Sequence, residues 1–155
     1  MARRDPINAT DEEARQLARD LLRGVRYGAL AVTLPERPVP YVARVAMIWA
    51  DGTLLTLIST LSTHTAALQA NRACAVLVGE PGDKVDPLTH PRMTLLCDAI
   101  EADKAAWKQR WLTAIPKAQL YYDFTDFLMF ELIPTEVHLN GGFGKAYRLA
   151  PSDLT

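Results

Sequence analysis

Cysteine is scarce in this chain: only Cys74 and Cys97 occur, and no Cys/His group shows the spacing of metal ligands. Two thiols cannot build a disulfide framework, and without paired ligand motifs they do not build a zinc site. Each sits in an apolar, β-like run, so both are expected to be reduced, buried small hydrophobes. That suits a reducing compartment, and a cytoplasmic location is expected. Excess charge is also lacking. Seventeen basic residues against eighteen acidic ones leave a formal net charge of −1, so no global field draws the protein to nucleic acid or an anionic membrane. Basic residues such as Arg3, Arg4, Lys104 and Lys108 are dispersed rather than striped, and no nucleic-acid partner is expected. No apolar run approaches the roughly 18 residues of a membrane span, and no basic-then-apolar leader opens the sequence. No membrane association is expected.

What is present is the composition of an ordinary globular protein, 49% hydrophobic and 23% charged over 155 residues. That length suits one domain, residues 1–155, or one protomer of a compact dimer. Residues 1–9 read as a loose arm. Thr10 and Glu13 have the spacing of a capping box, and Ala14, Leu17, Ala18, Leu21, Leu22 and Val25 form an apolar helical stripe that stops near Gly24. Strand-like runs follow at 27–34, 41–49 and 53–59, the last two joined by Asp51-Gly52, a pair suited to a tight hairpin. A short helix over 62–70 leads to strands at 74–78 and 93–100. A helix over 103–114 places Trp107, Trp111 and Leu112 on one face. An irregular aromatic stretch (121–127) precedes strands at 130–139 and 146–149. Six or seven strands with mostly short connections and few helices predict a mainly β, α+β fold: an antiparallel barrel with peripheral helices.

Three places could carry chemistry. Ser59-Thr60-Leu61-Ser62-Thr63-His64-Thr65 gathers hydroxyls and an imidazole where a helix begins, and free N–H groups there favour an anion. The same residues are equally those of a simple helix cap in a solvated turn. Arg44 lies on a strand face with Val42, Ala46 and Ile48, so it either faces solvent or holds an anion or ion-pair partner. Asn140-Gly141-Gly142-Phe143-Gly144-Lys145 is either a hairpin turn or a tight backbone offering a ring to a ligand. It lacks the strand-to-helix context of a dinucleotide fingerprint. His90 and His138 have no second ligand at metal spacing and read as surface or packing residues. No nucleophile–base set is visible, and the catalytic residues are not assigned.

Several ordered segments together resemble a known family. Leu57–Leu68 (LISTLSTHTAAL), 71–78 (NRACAVLV), 86–95 (DPLTHPRMTL) and 141–146 (GGFGKA) are similar to the pyridoxamine 5'-phosphate oxidase-like FMN-binding split barrels, and specifically to their haem-utilisation (HugZ-like) branch. The resemblance implies a six-stranded split β-barrel that forms a homodimer with FMN along the subunit interface, and an oxidoreductase acting on a small-molecule substrate or acceptor. It implies that Arg44, Val45, Ala46 and Met47 face the flavin, and that Ser59, Thr60, Ser62, His64 and Thr65 surround its phosphate. Arg92, Phe143 and Lys145 would approach late in the chain. A non-catalytic flavin or haem binder and a haem-degrading oxygenase are the alternatives. Trp49 stands where the oxidases proper have a lysine and Met93 where they have a glutamine, so vitamin B6 oxidation is not implied.

Overall fold

The computed structural model describes residues 5–83 and 86–155, so Arg3 and Arg4 lie outside the described residues. Eight strands and three α-helices run in the order β1 (Ile7–Asn8), α1 (Glu12–Arg23), β2 (Tyr27–Thr33), β3 (Pro40–Ala50), β4 (Thr53–Ser59), α2 (Thr63–Ala70), β5 (Ala73–Val78), β6 (Arg92–Glu101), α3 (Lys104–Ala114), β7 (Phe127–Asn140) and β8 (Ala146–Leu149). Hydrogen bonding in the order β7-β4-β3-β2-β5-β6, closed by β6 against β7, makes a six-stranded antiparallel barrel. The predicted fold class is therefore the observed one. β8 and β1 extend the sheet outward from β7. The arm expected to be loose is thus a strand at Ile7–Asn8, parallel to Ala146–Tyr147.

Alternation along the strands divides the protein into two cores. Inward side chains such as Leu30, Val45, Met47, Leu54, Val76, Met93, Leu95 and Leu132 fill the barrel together with Ala18 and Leu22 of α1 and Leu68 of α2. The outward faces of Ile48, Leu55, Leu57 and Met129 form a second core under Trp111 of α3, with Ala118 and Tyr122 of the segment that follows. β4 consequently has both faces covered, and Thr53 to Ile58 are all buried. Such a strand reads as a continuous apolar run rather than an alternating one.

Local signals place the boundaries. Asp51 and Gly52 both take positive φ (52° and 82°), the geometry of a type I′ hairpin, which pins the register of β3 against β4. α1 starts one residue later than the capping-box pattern suggests. Asp11 is the cap, its carboxylate accepting from Ala14 N–H at 2.8 Å, while the Thr10 hydroxyl donates to the Arg148 carbonyl. Gly79 has φ +104°, and a Cβ there would lie 2.5 Å from the Pro91 carbonyl oxygen; only glycine fits where β5 ends.

The barrel is parted on one side. β3 and β4 pair only over Met47–Ala50 and Thr53–Thr56. Beyond that, the first half of β3 pairs with β2 alone, and the last residues of β4 pair with β7 alone. α2 leaves from the end of β4 at this seam and packs on β2 and β3, its Ala67 and Leu68 joining the barrel core.

Candidate functional site

The Ser59–Thr65 turn lies at the seam, and its hydroxyls differ sharply in what they do. Ser59 donates its hydroxyl to Asp126 Oδ2 at 2.6 Å and accepts from the Leu61 N–H at 3.1 Å. Thr60 N–H donates to the Asp126 carbonyl. A carboxylate thus occupies one wall of the expected phosphate cradle. Asp126 was not among the residues singled out from sequence. It stands 67 positions from Ser59 and arrives because β4 and β7 pair Ser59 with Phe127. Thr60 is exposed, whereas Ser62 is half-buried at the N-cap of α2 and makes no side-chain cap bond. Thr65 is fully buried, and its hydroxyl has no hydrogen-bond partner among the described residues.

His64 is half-buried in this turn, and no hydrogen bond to its ring is present among the described residues. Burial holds its imidazole below the ordinary value of 6.5, so the ring is neutral at physiological pH. A neutral imidazole keeps a nitrogen lone pair for a metal but brings no positive charge to a phosphate.

Across the seam, β3 presents Arg44. Of the four β3 residues expected to face a flavin, Val45 and Met47 point into the barrel core and are buried, 6% and 0% exposed. Their side chains cannot meet an external ligand. This corrects the expectation for both, and the period-2 alternation of a strand is the reason. Arg44 and the half-buried Ala46 point outward. The Arg44 guanidinium lies 5.7 Å from the centre of the Tyr27 ring and has no carboxylate partner among the described residues. Met47 N–H donates to the Arg26 carbonyl, so odd-numbered residues of β3 turn their backbone groups to β2 and even-numbered ones turn theirs to the seam. The Ala46 carbonyl is satisfied there by the Thr56 hydroxyl at 2.7 Å. Continuing the β3–β4 register by three residues would set Arg44 opposite Ser59.

The late-chain residues form a separate cluster. Arg92 Nη1 donates to the carbonyls of Leu88 (2.9 Å) and His90 (3.2 Å), so its guanidinium braces the Asp86–His90 turn. Gly142, at φ +126°, would bring a Cβ within 3.2 Å of the Thr89 carbonyl oxygen, and its N–H donates to Asn140 Oδ1 at 2.9 Å. Phe143 and Lys145 are exposed beside Arg92 around a cavity of about 260 Å³. His138 faces outward near this cluster and contacts Glu136 at 3.0 Å, while His90 accepts a bond from Gly82 N–H.

One chain does not bring the two clusters together. Ser59 pairs with Phe127, the first residue of β7, while Arg92 pairs with Asn140, the last. Fourteen residues of strand separate them, a contour of about 40 Å. Between them runs an exposed sheet face with small or apolar residues. One row is Arg44–Ala29–Leu77–Thr94–His138 and the next is Val42–Ala31–Ala75–Leu96–Glu136. Val42 is 62% exposed and Leu77 46%.

Comparison with known proteins bears on what this arrangement is. No family model matches the chain. It is 35% identical over 102 residues to the non-canonical heme oxygenase HOZ of Arabidopsis thaliana, a chloroplastic protein, a match covering 63% of this chain. The match spans only 30% of that relative's length. A solved chain of nearly equal extent is 37% identical and superposes with a TM-score of 0.86, covering 95% of this chain and 99% of its own. A heme binding protein from Mycobacterium smegmatis shares the fold at 24% identity and a TM-score of 0.82, over 96% of this chain and 61% of its own. A protein of the pyridoxinephosphate oxidase family related to general stress protein 26, from Clostridium acetobutylicum, shares it at 14% identity and a TM-score of 0.72, over 94% and 100%. The closed barrel, its seam and these likenesses agree with the segments read from sequence: the chain has the split-barrel fold shared by these heme-binding and pyridoxinephosphate oxidase-family proteins, and over 102 residues it is similar to a non-canonical heme oxygenase.

Proposed function

We propose that this protein is a homodimeric haem-binding split barrel whose reaction class is oxidative haem breakdown. The observation that carries the choice of haem is the character of the seam. Asp126 holds Ser59 where a phosphate dianion would need donors, and the only titratable side chain within the turn is an imidazole that burial keeps uncharged. That set brings no positive charge to a phosphate from within the turn and leaves an imidazole lone pair for a metal-bearing macrocycle. His64 offers a lone pair for iron. Arg44, with no carboxylate partner among the described residues, is placed to meet a propionate with its guanidinium fork. Haem, when bound, supplies the redox and oxygen chemistry; the chain holds it, orients it and limits water around it.

The separation of the clusters supports a second copy in this reading. Arg92, Phe143 and Lys145 reach a ligand at the seam only if a second protomer contributes them. The exposed face carrying Ala29, Ala31, Ala75, Val42 and Leu77 is the surface we assign to that pairing. Small side chains keep it flat, and the apolar ones gain by leaving water.

A second reading, FMN in the same seam, draws on one specific feature. Thr65 has a buried hydroxyl with no partner among the described residues, and Ser62 has an uncommitted one, both at the electropositive start of α2. Titration of the purified protein with haem, FMN and riboflavin separates the readings. Haem is expected to give a Soret band at 1:1 per protomer that His64→Ala shifts or abolishes and Arg44→Ala weakens. FMN binding far tighter than riboflavin, lost in Ser62→Ala and accompanied by no haem binding, would overturn the haem reading in favour of flavin.

A further inference from the structure

We infer a second ligand site, for a nucleoside diphosphate or a molecule containing one, in the cleft bounded by the end of α1, the second half of β3 and α3. This cleft has a volume of about 470 Å³, within the range that holds small organic ligands. It shares no residue with the seam or with the late-chain cluster. Three arginines line it: Arg23 at the end of α1, Arg26 just before β2, and Arg110 on α3. Among the described residues no acidic side chain lines it, although Asp20 and Asp51 reach two of the arginines from its edge.

The protein contacts of these guanidiniums leave most of their donors free. Arg23 meets Asp20 through Nη1 at 3.2 Å, Arg110 meets Asp51 through Nη1 at 3.2 Å, and Arg26 Nη1 donates to the Val25 carbonyl. Nε and Nη2 of all three make no hydrogen bond or ion pair among the described residues. The two carboxylates each engage a single nitrogen of Arg23 and Arg110, which leaves the remaining donors of all three guanidiniums to an entering anion. The guanidinium fork matches phosphate oxygens in pairs, so two or three such groups suit a diphosphate better than a single charge.

The rest of the cleft is built for the other half of such a molecule. Trp49, half-buried where β3 borders the cleft, supplies an aromatic floor against which a planar base can lie. Gln109 and Thr113 on α3 supply polar edges for hydroxyls or ring nitrogens. A purely apolar ligand would leave the arginines unmatched, and a bare phosphate would leave the floor unused.

Calorimetric titration of the intact protein with ADP, pyrophosphate and adenosine tests this. ADP is expected to bind best, pyrophosphate more weakly and adenosine weakest, with affinity for ADP falling as salt is raised. Arg26→Gln and Arg110→Gln, both at exposed positions, should each weaken ADP about tenfold, the effect of losing one charge-assisted contact. Arg72→Gln, on another face, should leave it unchanged. Absence of ADP binding at millimolar concentration, or indifference to Arg26→Gln and Arg110→Gln, would remove the site. Haem titrations of the same two variants should match the parent protein, so this test is independent of the seam's ligand.

Discussion

Replacing Asp126 by Asn changes one charge and leaves the Ser59 hydrogen bond a partner. Two exposed unit charges a few ångströms apart interact by about 1 kcal/mol in water-like surroundings. Asp126→Asn should therefore raise FMN affinity roughly fivefold, read by fluorescence quenching of the flavin; an unchanged affinity would show that Asp126 does not govern what the turn accepts. His64 gives a second residue-level expectation. In the unfolded chain its imidazole takes up a proton near 6.5, whereas in the folded protein burial delays protonation to lower pH. The stability that comes from a neutral His64 is therefore complete above that value and declines as pH falls below it. Denaturation midpoints measured down from pH 7 should fall less steeply in His64→Gln than in the parent. At this scale the sequence was only partly readable. The Ser62–Thr65 hydroxyls and Arg44 were visible as residue types in suggestive places. The claim of Asp126 on Ser59 was not visible, since it depends on a strand pairing between distant segments. Val45 and Met47 were assigned outward when alternation, applied strictly from Arg44, turns them in.

Elements were more legible than residues, because hydrophobic period and turn chemistry act locally. β4 and β8 begin and end where their β-rich runs and the Asp-Gly pair put them, and α3 carries Trp111 into a core as its spacing implies. The cap of α1 was misread by one position, since Thr10 and Asp11 are both good caps and only the tertiary contact of Thr10 with Arg148 decides between them. Asp11→Ala should cost about 1 kcal/mol in chemical denaturation, and Glu13→Ala close to nothing. The reverse order would restore the capping-box reading. β7 is longer than the 130–139 run implies. It starts at Phe127, within the aromatic stretch read as irregular, and continues past Pro134 because the register shifts between Leu96 and Cys97 of β6. The two-residue β1 carries no periodic signal and owes its existence to β8.

At the scale of the whole molecule, the two ends of β7 set the main constraint: residues of the seam and of the glycine-rich loop lie at opposite ends of one strand, and in the proposed dimer they would meet across protomers. Leu77→Glu, in the middle of the exposed face, should yield a monomer in light scattering and weaken haem binding together with dimerisation. A monomeric variant that binds haem as tightly as the parent would confine the whole site to one chain. The antiparallel barrel could be inferred from strand runs and turns, whereas its closure and parting were implied by the family resemblance alone, and the outlying β1 by neither. Closure and parting are decided by which strand edges meet after the chain has folded back on itself.

The parted wall carries one more consequence. A barrel that closes completely has no rim for a stranger's strand to join, whereas the first half of β3 leaves such a rim beside β4. Pro38 and Pro40 stand at its start, withholding donors, and the positive charge of Arg44 stands along it. The opening proposed to admit a cofactor is thereby fenced against fibril-like stacking. Neutralising that fence would be expected to show first as turbidity in concentrated solution, before any loss of fold.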